Sequence, residues 1–146
     1  MEVLNQKSTI QSIGIGIVIN NLLEVLIDKR RKEGHMGGFW EFPGGKKRFD
    51  ENIEMTIARE LKEELSIEVD VGKHLITFNH SYGNKRMRFS VYLCHLVSGE
   101  PKPLASQQVR WVHLSELGEF NFPDANEKMI VALQEHYSKN HLSKIH

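Results

Sequence analysis

The stretch Gly45–Leu65, GKKRFDENIEMTIARELKEEL, decides how this chain is read. Apolar residues recur at helical spacing through it, at Ile53, Ile57, Leu61 and Leu65. Asn52 stands just ahead of them as an N-cap residue. With about 100° per residue and Ile57 at zero, Ile53 falls at about −40°, Leu61 at about +40°, Leu65 at about +80° and Ala58 at about +100°. These make an apolar stripe that faces a core. Glu64 falls at about −20°, inside the stripe, Glu60 at its edge at about −60°, and Glu63 further round at about −120°. Arg59, at about −160°, pairs with Glu63 one turn on but reaches Glu64 poorly.

Glu60 and Glu64 are like charges at i, i+4 and disfavour the helix by a few tenths of a kcal/mol. A carboxylate on the core side also loses hydration, and must be paired, protonated or metal-bound. A solvated acidic face with one Arg–Glu pair accounts for Arg59 and Glu63. It does not account for Glu64 among Ile57, Leu61 and Leu65. A hard divalent cation does, since it takes carboxylate and carbonyl oxygens and is usually shared with substrate phosphates.

Outward from the helix the chain is mostly strand. Thr9–Asn20 is β-branched and reads as a central strand, with Gly14 and Gly16 marking a bulge or a close backbone approach. Asn20-Asn21 turns into a second strand, Leu23–Asp28. A charged, Gly-rich loop over residues 29–38 leads to the extended piece WEFPGG, residues 40–45. Ile67–Ser81 and Lys85–Val97 form a hairpin about Tyr82-Gly83-Asn84, and Val109–Leu114 is a further strand. Pro123-Asp124 opens a last helix with Met129, Ile130, Leu133 and Tyr137 inward. Strands flanked by two helices, with hairpins, predict an α/β fold with a mixed sheet between helical layers.

The 146 residues predict one domain, 1–146, with its core over about 9–138 and a polar tail from Ser138. Nineteen Lys and Arg balance nineteen Asp and Glu. That balance argues against stable binding to nucleic acid, which goes with a basic excess. The one cysteine, Cys94, lies in a strand-like run and reads as core. The eight histidines show no ligand spacing. No leader peptide is read in the polar start Met1–Ser8, and no run is long enough to span a membrane. The expectation is a cytoplasmic protein.

Gly45, Glu51, Arg59, Glu60, Glu63 and Glu64 follow the order G-x5-E-x7-R-E-L-x-E-E. The segment Gly45–Ile67 thereby resembles the Nudix box, G-x5-E-x7-R-E-U-x-E-E-x-G-U with U a bulky aliphatic residue. Every position matches except Ser66, where the box has Gly. That Gly ends the helix in a left-handed conformation, so Ser66 is expected to cost about 1 kcal/mol. The likeness runs from about Ile13 to Leu133 and implies the Nudix α/β/α sandwich.

The resemblance also implies an activity, hydrolysis of nucleoside diphosphates linked to another group. Water attacks a phosphorus atom of the pyrophosphate bridge. By it, Gly44, Glu60, Glu63 and Glu64 are expected to hold Mg2+, with Mn2+ as substitute, the Gly44 contribution being a backbone carbonyl. Glu63 and Glu60 are the candidate general bases, and Arg59 orients the box carboxylates. Glu51 reads as a loop-to-helix structural residue more than as a ligand. Arg30, after the second strand, faces the phosphates, and Lys46 beside Gly45 belongs to a second basic cluster. Many relatives place one more acid in the loop before the Trp strand. Here the matching position is Ala105, so the box carboxylates, or another acid such as Glu100, must do that work.

His35-Met36, Glu41-Phe42-Pro43-Gly44-Gly45 and Phe122-Pro123-Asp124-Ala125-Asn126 resemble the MutT-type branch, the 8-oxo-dGTP diphosphatases that cleanse the nucleotide pool. In that branch the residue matching Asn126 reads the purine edge and the one matching Phe42 lines the base pocket. Lys85 lies in the strand that contacts the base. An Asn side chain is donor and acceptor together, so it suits an oxidised guanine edge. Its other reading is a cap on the last helix with Asp124, and Phe42 reads equally well as core. The leading expectation is a Mg2+-dependent 8-oxo-dGTP diphosphatase, a monomer or weak dimer whose partner is a small nucleotide. The alternatives are a Nudix hydrolase of another substrate, such as a cytidine triphosphate or a nucleoside diphosphate sugar, and a non-catalytic module that binds an oxidised base.

Overall fold

The computed structural model describes the backbone of residues 9–145 and the side chains of residues 9–138. The expectation about the start Met1–Ser8 lies outside the described residues.

Among the described residues, seven strands divide between two sheets. Strand β1 (Gln11–Val18) lies between β4 (Gly44–Lys46), antiparallel, and β6 (Lys85–Ser98), parallel. Strand β5 (Glu68–Tyr82) pairs antiparallel with β6 and completes a mixed sheet of order β4-β1-β6-β5. The second sheet is antiparallel, with β2 (Glu24–Lys29) between β3 (Trp40–Glu41) and β7 (Gln108–His113). Strand β4 occupies the edge of β1 along Ile13–Ile15, and β2 pairs with the chain that leaves β1 at the isolated Ile19–Val25 bridge. Helix α1 spans Ile53–Leu65 and helix α2 spans Asp124–Ile145, through the polar tail. A 3-10 helix at Leu114–Glu119 was not legible in the sequence.

Alternation along the strands assigns each residue to a layer. In β1, Ile13, Ile15 and Ile17 pack into the core that also holds Met129 and Leu133 of α2. Val18 joins the core under α1, with Leu26, Ile57, Leu61, Leu65 and Cys94. Gly14 and Gly16 face α1 and mark a close approach, not a bulge. A Cβ at Gly16 would stand 2.8 Å from Ile57 Cγ2, and one at Gly14 would stand 2.9 Å from Ile57 Cγ1. Side chains there would lift α1 off the sheet and move its carboxylates. In β2 the same alternation places Val25 and Ile27 on the α2 side and Leu26 on the α1 side, so Asp28 also faces α1.

Asn52 caps α1 as expected, its Oδ1 accepting the Met55 N–H at 2.8 Å. The buried face is wider than periodicity predicts, because it reaches round to the fully buried Thr56. The Thr56 hydroxyl is satisfied there by Glu51 Oε1 at 2.8 Å and the Asn52 carbonyl at 3.1 Å. Glu60 and Glu64 therefore lie within the buried arc, between Thr56 and Leu65. Cys94 is buried, and burial pushes its thiol up to about 12.

Ser66 closes α1 in the left-handed conformation, φ 59° and ψ 38°, with its N–H on the Lys62 carbonyl at 3.0 Å. Ser66→Gly is expected to stabilise the protein by about 1 kcal/mol, because Gly adopts this conformation without a Cβ penalty. Urea unfolding checks it: the midpoint rises at constant slope, and an unchanged midpoint refutes the strain.

Candidate active site

A cavity of about 1050 Å³ opens between the acidic side of α1, the end of β2, the β5–β6 hairpin and the start of α2. Glu64 lines it together with Arg30, Phe42, Lys85 and Asn126. Residues separated by up to 96 positions (126 − 30) thus share one wall. Glu60, Glu63, Arg59, Gly45 and Lys46 do not line it and flank Glu64 instead.

Arg59 organises the box carboxylates. Its Nε and Nη2 bind Glu51 at 2.9 and 2.7 Å, a bidentate pair. Nη1 reaches Glu60 at 2.8 Å and Glu63 at 3.3 Å, and Nη2 also donates to the Lys46 carbonyl at 3.0 Å. Periodicity predicts only the Glu63 pair. Glu51 lies on the loop before the helix, so only the fold brings it to Arg59. The Arg59 hydrogen bonds hold the Glu51 carboxyl well below the usual carboxylate range. Glu51 in turn raises the Arg59 guanidinium. Glu60 lies flat over the β4 backbone: a Cβ on Gly45 would come within 2.4 Å of its Cδ. Glu63 is half-exposed.

Glu64 has much less support. Its Oε1 accepts the Gly44 N–H at 3.1 Å. Burial, and then the Glu60 carboxylate, push it up to about 8 against that bond, and Glu41 and Glu63 add to the rise. Two further acids stand nearby. Asp28 is 4% exposed, and its Oδ1 has no hydrogen-bond partner. Burial and the Glu41 and Glu64 carboxylates push Asp28 up to about 9. Glu41 binds Arg30 Nη1 at 2.6 Å, and Arg30 Nε donates to the His35 carbonyl at 2.8 Å.

Among the described residues no three carboxylate, imidazole or thiol groups already stand as a ligand set. Arg59 Nη1 draws Glu60 and Glu63 to itself. The residues fit a hard divalent cation all the same. Hard oxygen donors are what such an ion takes, and Glu64 is a largely enclosed carboxyl among like charges, a strain that a bound cation relieves without a proton.

Asn126, on the same cavity, is 7% exposed, and its Nδ2 has a long contact to Met129 Sδ at 3.9 Å. Its side-chain amide caps no helix end; the Asn126 backbone N–H instead donates to the Pro123 carbonyl at 2.9 Å. Phe42 stacks on Phe122 in the core, centroids 5.5 Å apart, and also lines the cavity. Tyr82, Met87 and Phe89 line it too. Met87 belongs to the strand already read as contacting the base; Tyr82, read as part of the turn, and Phe89 were not singled out from the sequence, though alternation puts Phe89 on the same face as Met87. Ala105 also lines it, and Glu100 is exposed and away from it.

A family model for the NUDIX domain matches residues 14–132. The chain belongs to the NUDIX domain family. Nudix hydrolases generally use a divalent metal, in keeping with the donor set around Glu64. This Nudix chain is 31% identical to an 8-oxo-dGTP diphosphatase of Escherichia coli, over 84% of its own length and 95% of that protein's. It is 38% identical to one of Proteus vulgaris, over 56% of its own length and 72% of that protein's. Among solved structures it resembles the MutT NUDIX hydrolase of Burkholderia pseudomallei, with a TM-score of 0.75, 26% identity, and coverage of 87% of this chain and 98% of that one. No helix among the described residues is long and apolar enough to cross a membrane.

Proposed function

We propose that this Nudix hydrolase converts 8-oxo-dGTP to 8-oxo-dGMP and pyrophosphate, so that an oxidised guanine does not reach DNA. One observation carries the substrate class. A buried amide with no strong partner, Asn126, stands in the same cavity as the cation-seeking Glu64. Its relatives of that activity, matched along most of their length, support the reading.

Glu64, Glu60, Glu63 and the Gly44 carbonyl are the groups that would hold Mg2+, with Mn2+ able to replace it. When bound, such an ion neutralises phosphate charge and lowers the pKa of a water molecule. Arg59 holds Glu60 and Glu63 in register for that task, and Arg30 meets the phosphates. Asn126 meets the edge of the base, with Phe42 and Lys85 beside it. Gly45 keeps Glu60 in place by lacking a side chain, and Lys46 adds positive charge near the β4 backbone. Glu63 and Glu60 are the candidate proton acceptors, and half-exposed Glu63 is the more open to water.

The test is hydrolysis of 8-oxo-dGTP against dGTP at low micromolar concentration with Mg2+, with products separated by chromatography. The expected result is strong preference for 8-oxo-dGTP, giving the monophosphate and pyrophosphate, lost in EDTA. Equal slow rates on both move the substrate elsewhere in the family. Absence of turnover refutes the enzyme reading.

Ala105 permits a gain-of-function prediction. Because it lines the cavity, Ala105→Glu adds a carboxylate where many relatives have one. It is expected to raise kcat about tenfold, less than the roughly 10²-fold or more of a well-placed general base, because the new side chain is not held by a partner. An unchanged or lower kcat means that the box carboxylates already supply the base.

A further inference from the structure

Asp28 is left unexplained by the reaction. It ends an otherwise apolar run in β2, is almost fully buried, and carries an oxygen with no partner. An apolar residue would serve that core position better. Opposite it in the β2–β3 ladder stands Glu41, so both carboxyl groups project from the same face as neighbours. The register puts the two carboxyl groups side by side, where one can donate to the other. Two carboxyl groups joined in that way must have a proton between them. Glu41 is the more open of the two, and a guanidinium nitrogen lies 2.6 Å away, which keeps its negative charge. The proton therefore belongs to Asp28.

We propose that Asp28 is a positioning residue: its carboxylic acid donates to Glu41, and Glu41 thereby holds the Arg30 guanidinium in the orientation that meets the substrate's phosphates. The proposal rests on the reading of Arg30 as a phosphate contact. Glu41 holds Nη1 and the His35 carbonyl holds Nε, so the guanidinium plane is set and Nη2 is left for a ligand. Without Asp28 the Glu41 carboxylate loses its anchor on the sheet side and swings with Arg30 toward solvent. The buried acid is kept at a cost to the fold, as at functional positions generally.

The test compares Asp28→Asn, Asp28→Leu and Glu41→Ala on 8-oxo-dGTP and on dGTP, and follows exchange of the Arg30 Nε–H by NMR. Asp28→Asn keeps a donor toward Glu41 and is expected to stay within about threefold of wild type in kcat and KM. Asp28→Leu is expected to raise KM about tenfold on both nucleotides, leaving kcat within about threefold, because Arg30 meets phosphates and not the base. Its thermal midpoint rises, since the orphaned oxygen is gone. Glu41→Ala reproduces the KM effect, and serves alone if Asp28→Leu does not fold. The Arg30 Nε–H, bonded to the His35 carbonyl, is expected to exchange slowly in wild type and in Asp28→Asn and fast in the other two.

An Asp28→Asn variant as damaged as Asp28→Leu would mean an ionised Asp28 acts directly, and overturns the proposal. Wild-type KM and unchanged Nε–H exchange in Asp28→Leu overturn it as well. If the wild-type protein hydrolyses neither nucleotide, the functional reading fails, and the Nε–H exchange alone decides whether Asp28 positions Arg30.

Discussion

Glu64→Gln lowers kcat by about 10³-fold, the scale of losing one group that stabilises charge in a transition state. Folding survives the change. Gln has the same shape, keeps an oxygen for the Gly44 N–H, and carries no charge beside Glu60, Glu41 and Glu63. In EDTA the thermal midpoint of the variant is therefore equal to or above that of the wild type. Mg2+ raises the wild-type midpoint, as any ligand specific to the folded state does, and raises that of the variant much less. Steady-state kinetics and thermal scans with and without Mg2+ check both parts. A variant that retains the wild-type rate sinks the assignment of Glu64. One that loses rate and unfolds early shows a structural role instead.

Asn126→Ala lowers the preference for 8-oxo-dGTP over dGTP by about 10²-fold, because a site built to hydrogen-bond a substrate edge discriminates through those bonds. The side chain is buried, and among the described residues its amide makes only the long Met129 contact, so its hydrogen-bonding capacity is available to a ligand. Cleavage of dGTP changes by no more than about threefold, since the hydrogen bonds of Asn126 run to Met129 and Pro123 of its own helix start and not to the box. The ratio of kcat/KM for the two nucleotides, in wild type and variant, is the measurement. An unchanged ratio places base recognition elsewhere on the wall, with Tyr82 or Lys85 the next to vary.

Much of this site was legible along the chain, and the reason is local geometry. Helix periodicity alone brings Glu64 into the apolar stripe of Ile57, Leu61 and Leu65, and α1 buries that face. Gly14 and Gly16 announced a close backbone approach, and α1 is what approaches. The expected turn of α1 into a left-handed residue at Ser66 is present. The main Arg59 partner was not legible, because Glu51 reaches it from outside the helix. Nor was the width of the buried face, which Thr56 extends by having its hydroxyl satisfied.

By itself the sequence determined the elements, their inward faces and the spacing of the box, since period and capping act within a few residues. The tertiary structure alone decided which distant groups share a space. Asp28 looks in the sequence like the polar end of a strand. Only the β2–β3 register sets it against Glu41, and only Arg30 beyond Glu41 decides which of the two acids bears the proton. Side chains far apart in sequence interact through distance and dielectric, and both are properties of the folded chain.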